Sequence, residues 1–124
     1  MCYTEFMWEV EYTDEFERWW LSLDADEQES LAASVELLEV TGPGLSRPHA
    51  DTLKGSAHPN MKELRTQHQG HPLRTLFVFD PRRAAILLIG GDKTGDDRFY
   101  ERMIPVADRL YTEHLEELER KGLL

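Results

Sequence analysis

One cysteine, Cys2, is all the sequence offers, so an internal disulfide and any cysteine-based zinc site are excluded, and the composition suits a reducing compartment. Long apolar runs are missing too, and none approaches the ~20 residues of a membrane-spanning helix. No membrane partner is therefore expected. The first twenty residues are acidic rather than basic and lack a signal-peptide pattern, which points to the cytoplasm. Repeats, low-complexity tracts and linkers are absent, and 124 residues suffice for one core but not two, giving a single domain over 1–124.

Positive charge is scarce, and its scarcity is uneven. The net charge is −10, which argues against plain nucleic-acid binding. Residues 1–43 hold one basic residue, Arg18, against twelve acidic ones. Residues 44–93 hold eight basic residues (Arg47, Lys54, Lys62, Arg65, Arg74, Arg82, Arg83, Lys93) against four acidic, and residues 94–124 return to five against eight. Four of the five histidines also fall in the middle third. An acidic chain thus carries a locally basic stretch that suits an anionic ligand, although strands also simply tend to hold fewer carboxylates.

That basic stretch is also the most strand-prone. Thr75–Phe79 is apolar at both parities and Ala84–Ile89 is apolar throughout, the pattern of strands buried on both faces. Gln69-Gly70-His71-Pro72 and Asp80-Pro81-Arg82-Arg83 read as turns. The spacing predicts an antiparallel meander of Lys62–His68, Leu73–Asp80 and Ala84–Gly90. Upstream, Glu5–Tyr12 alternates like a half-buried strand. Thr13 and Asp14 then stop it, with Asp14 and Glu17 spaced as a capping box. Phe16, Trp19, Trp20 and Leu23 mark one helix, and Asp24 opens a second through Leu31, Val35 and Leu38, ending at Thr41-Gly42-Pro43-Gly44. A long loop over Gly42–Pro59 has room for a short strand near Thr52–Lys54. Pro105 fits the first turn of a last helix that ends near Lys121-Gly122. The order is strand, helical hairpin, three strands, helix: an α+β domain with helices on an antiparallel sheet.

At that point the chain resembles a known family. The element order, the helix-ending GPGLSRPHADTLKGS, the strand start NMKELR, the arginine in HPLRTLFVFDP and the GGDK…FY segment are similar to the RelE/ParE superfamily of toxin–antitoxin toxins, in its HigB-like, phage Gp49-like branch. The resemblance spans about Trp8 to Leu118. It implies a RelE-like fold and a ribosome-dependent endoribonuclease (an mRNA interferase) that blocks translation without a cofactor. Its implied partners are the ribosome, mRNA and a cognate antitoxin, a helix-turn-helix protein encoded alongside, with which it forms a hetero-oligomer. The ParE side of the superfamily inhibits DNA gyrase, so a non-catalytic gyrase inhibitor, or a degenerate toxin kept for antitoxin pairing and operon repression, is the alternative.

Cleavage through the 2′-hydroxyl needs a base, an acid and fixed positive charge on the phosphorane, and arginine grips two phosphate oxygens at once. Lys62, Arg65, Arg74 and Lys93 sit at strand starts or ends that an antiparallel meander can bring together. By the resemblance, Arg65, Arg74 and Lys93 match cationic catalytic positions, and Tyr100 (or Phe99) matches an aromatic acting at a base. Lys54, Lys62, His68 and His71 are the further candidates for RNA contact. Plainer roles exist for each: an edge lysine for Lys62, pairing with Glu63 or Asp92 for Arg74, a solvated turn for Lys93 and simple packing for Tyr100. Arg82 and Arg83 read as a hairpin tip. His68-x-x-His71 lacks a helix or a third ligand, so no metal site is expected. An antitoxin is expected to cover the basic patch with acidic or apolar side chains.

Overall fold

In the computed structural model, which describes residues 6–124, the two doubly apolar runs become the middle of a five-stranded sheet. Strand β1 (Val10–Tyr12) leads into helices α1 (Asp14–Ser22) and α2 (Ala25–Thr41). A 3-10 turn at Gly42–Gly44 and strand β2 (Ala50–Thr52) follow, then β3 (Lys62–His68), β4 (His71–Phe79), β5 (Ala85–Asp92) and helix α3 (Phe99–Arg120). The sheet order is β1-β5-β4-β3-β2. Cys2 and Glu5, the first residue of the expected opening strand, lie outside the described residues.

Alternation assigns each face its own layer. Leu64, Phe77, Ala85 and Leu87 turn toward α1 and α2 and pack with Phe16, Leu31 and Leu38. Leu76, Val78, Ile86 and Leu88 turn the other way, onto Phe99, Ile104, Ala107 and Leu110 of α3. Each buried leucine, isoleucine, valine or phenylalanine among them contributes about 1.5–3 kcal/mol. The result is a three-layer α+β sandwich, with the meander as expected and helices on both faces.

Four details differ from the sequence reading. The opening strand is three residues long and pairs parallel to β5, Val10 opposite Ala85, so only β2–β5 form an antiparallel run. Strand direction at an edge follows from the helical hairpin that carries the chain away, and nothing in the local pattern encodes it. The cap of α1 is Thr13, whose Oγ1 accepts from the Phe16 N–H at 3.0 Å, rather than Asp14. The hidden strand is Ala50–Thr52, slightly earlier than expected. Helix α3 starts at Phe99, so Pro105 lies inside it. Burial of Phe99 at 2% exposure anchors the earlier start, and Pro105 falls on the exposed side.

The second cap is as read: the Asp24 side chain accepts from the Glu27 N–H while Glu27 accepts from the Asp24 N–H. The β3–β4 hairpin closes on Gln69 and Gly70, both at positive φ (47° and 82°), the turn that matches strand twist. On β5, across from Thr75, Gly90 is flat against Trp19: a Cβ there would stand 2.2 Å from the indole Cζ3. No helix is long and apolar enough to cross a membrane among the described residues.

Candidate functional site

The register of β3 and β4 sets two arginines directly opposite one another, Arg65 across from Arg74. Both share the sheet face of Glu63 and Leu76, the face under α3, near that helix's first turn. Like charges in a cross-strand pair are unfavourable unless something compensates. Arg74 is buried at 7% exposure, with one guanidinium N–H on the Leu73 carbonyl at 3.1 Å. Its Nε stands 3.6 Å from Glu63 Oε1, too far for a hydrogen bond, and has no hydrogen-bond partner. Arg65 is half-buried and makes no ion pair among the described residues.

Helix α3 delivers Tyr100 to the same carboxylate, its hydroxyl donating to Glu63 Oε1 at 2.5 Å. Burial, with the Glu63 hydrogen bond and charge adding, pushes the Tyr100 phenol above its usual range. It therefore stays protonated near neutrality. Lys93, just past β5 and tied to β4 by its N–H on the Pro72 carbonyl, lays its Nζ 5.6 Å from the Tyr100 ring centroid. Arg65, Arg74, Lys93 and Tyr100 thus meet at one corner of the sheet.

Two residues outside the sequence's site candidates join them. Glu63 links Arg74 to Tyr100; in the sequence it stands out only as a possible partner of Arg74. Arg47, in the loop before β2, is held above its ordinary range by its hydrogen bond to Asp51 and that group's charge, with weaker pulls from Glu63 and Tyr100. Asp51 pairs with Glu63 across β2–β3. Only that pairing, which cannot be read from a loop of low periodicity, brings Arg47 near the corner.

The remaining candidates sit elsewhere. Lys62 pairs with Phe77 and shares its face, under α1 and α2. His68 is buried beneath α2, its Nδ1 2.7 Å from Ser30 Oγ. His71 is exposed on the same hairpin, with Nδ1 3.1 Å from Thr94 Oγ1 and 3.2 Å from Asp92. Lys54 is exposed in the β2–β3 connection. The two-residue period of a strand separates Lys62 and His68 from Glu63 and Arg65. Arg82 does more than decorate a hairpin tip, since it holds Asp80 and Glu11. Among the described residues no group of three or more His, Cys, Asp or Glu is placed to hold a metal.

A five-stranded sheet between a helical hairpin and a C-terminal helix is the fold of the RelE toxins. The chain superposes on a chain of the Escherichia coli RelBE toxin–antitoxin complex with a TM-score of 0.50 at 14% identity, covering 68% of this chain and 94% of that one. A mutant of E. coli toxin RelE in the free state matches with a TM-score of 0.55 at 10% identity, over 78% and 95% of the two chains. Within that fold the chain belongs to the "Phage derived protein Gp49-like" family, whose model matches residues 18–112. Two relatives come from Mycobacterium tuberculosis. "Putative toxin HigB3" is 48% identical over 94 residues, 75% of this chain and 81% of that protein. "Putative toxin HigB2" is 44% identical over 115 residues, 89% of this chain but only 57% of that longer protein.

Proposed function

We propose that this family member is the toxin of a toxin–antitoxin pair and that it cleaves mRNA on the ribosome, in the cytoplasm and without a cofactor. The observation that carries the reading is the Arg65–Arg74 pair with an unpartnered, buried guanidinium N–H. A site that sets a buried guanidinium opposite a half-exposed one is relieved by an anion, and a scissile phosphate bridging them suits arginine's fork. In the reaction the 2′-oxygen attacks its own phosphorus and the 5′-oxygen leaves. Arg65 and Arg74 would hold the phosphorane's charge, and stabilisation of that kind is usually the largest single source of rate acceleration. Tyr100, kept protonated, serves as proton donor to the leaving oxygen, and Glu63 is the carboxylate in reach to take the 2′ proton. Lys93 adds charge beside Tyr100.

The test is expression without the antitoxin. Growth should arrest, and ribosome-bound mRNA should show cuts with 5′-hydroxyl ends. Arg65→Ala should lose on the order of a hundredfold or more in cleavage rate while keeping the wild-type fold. A second reading, a non-catalytic inhibitor, draws support from the net charge of −10. It wins if translation continues while DNA supercoiling stalls.

A further inference from the structure

The acidic third of the chain forms a surface of its own on the far side of the sheet from the arginines. A groove of about 390 Å³ lies between β1, α1 and α2, floored by Val10, Phe16, Val35 and Leu87 and walled by Tyr12, Trp20 and Leu21. Tyr12 and Leu21 are 59% and 69% exposed. Glu17, Glu36 and Glu39 line it as well, and residues 1–43 hold twelve carboxylates against Arg18 alone. From Ala32 to Glu39 the wall runs for about 10 Å of helix. Apolar floors with a charged rim mark protein contacts. A rim of this sign repels RNA and the same acidic face of a second copy, but attracts a cationic polypeptide.

We infer that this groove, and not the basic corner, is the seat of the antitoxin, and that the antitoxin segment it takes carries two or three apolar side chains flanked by lysine or arginine. The inference rests on the toxin–antitoxin reading and names the partner's chemistry. It replaces the expectation that an acidic or apolar antitoxin segment covers the arginines.

The experiment measures binding of the purified product of the adjacent reading frame to five forms of the full chain: wild type, Glu17→Lys/Glu36→Lys, Leu21→Ser, Arg65→Ala, and the control Glu119→Lys/Glu116→Lys on α3, which makes the same change in net charge as the first double variant. Both groove variants should raise Kd roughly tenfold or more and keep the thermal unfolding of the wild type, while the control stays near the wild-type value. Added salt should weaken wild-type binding. Equal Kd for the groove variants and wild type overturns the inference. So does equal weakening by the control, which would mean diffuse attraction, or a wild-type dimer in sedimentation that Leu21→Ser dissociates. Failure of the wild type to bind that product at all overturns the toxin–antitoxin reading and this occupant together. A Kd that responds to Arg65→Ala but not to the groove variants keeps the pairing and moves the antitoxin to the basic corner.

Discussion

Arg74 is a buried guanidinium with one carboxylate nearby and one N–H unmet, so each of its neighbours carries a separable consequence. Arg74→Ala strands Glu63 in the interior, a change that costs about 3–5 kcal/mol when one member of a buried pair is removed. Urea unfolding should show that loss, which makes Arg74→Ala a poor probe of catalysis. Arg65 is the cleaner probe. It is half-exposed and faces a like charge, so Arg65→Ala should leave stability unchanged or raise it by up to ~1 kcal/mol while activity falls. A loss of more than ~2 kcal/mol would mean that Arg65 is structural. Tyr100 gives a pH test. Its phenol is raised by burial and by Glu63, so the stability it lends is complete below the unfolded value of about 10. It is lost as pH climbs through the higher folded value. Tyr100→Phe should therefore flatten the alkaline fall in stability and remove a late-ionising phenol from the absorbance titration. An unchanged alkaline profile would show that Tyr100 is neither buried nor held by Glu63 in solution.

At the scale of elements, the best-defended junction joins the β4–β5 turn to α3. Asp80, with no exposed side-chain surface, accepts from Arg82 Nε at 3.0 Å, from the N–H groups of Arg82 and Ala84, and lies 2.9 Å from His114 Nε2 on α3. Burial opposes its ionisation, but the bonds from His114, Arg82 and Ala84 outweigh it and hold the carboxyl below its ordinary range. Its contribution is thus present above the unfolded carboxyl pKa of about 3.9 and lost as pH falls through the lower folded value. Asp80→Asn should cost about 3–5 kcal/mol at neutral pH and abolish the part of acid destabilisation below about pH 4; urea midpoints from neutral to strongly acidic pH would show both. Caps are smaller matters: Asp24→Ala should cost about 1 kcal/mol. Asp24 was legible because a capping residue after a helix break has a local chemical meaning, and the central strands were legible because burial on both faces leaves only apolar residues. Helix α3's start was not, because Phe99 is fixed by a distant core and Pro105 gave a stronger local signal. β1's direction was not legible either. At the site, Lys62, Arg65, Arg74 and Lys93 were read from strand ends and Tyr100 from the family resemblance; strand parity then moves Lys62 to the other face, and Glu63's second role and Arg47 depend on pairings across the sheet.

The whole molecule is acidic except for a local basic corner, and that division governs how it would meet RNA. Residues 1–43, mostly the α1–α2 side, carry the excess negative charge, while Arg65, Arg74 and Lys93 gather under the start of α3. Over distances beyond a Debye length of about 8 Å at physiological salt, RNA sees the net charge of −10 and is repelled. On the nuclease reading, only at contact would the three cations neutralise phosphates. Repulsion and contact attraction respond to salt in opposite senses. Counterion release by three cations on a single strand gives a slope of log K against log salt of about −2, far shallower than a protein with a basic channel shows. The association rate should rise or stay level as salt increases from about 0.05 to 0.2 M, because screening removes the repulsive field first. Replacing several α2 carboxylates by glutamine should raise the association rate at low salt without changing the cleavage step, since none of them touches the arginine corner. Stopped-flow binding to a labelled single-stranded RNA, or to ribosomes loaded with mRNA, measures both quantities. A slope steeper than about −5 together with an association rate that falls with salt would show that RNA engages a wider basic surface than this corner, and the charge division would then have no part in its approach.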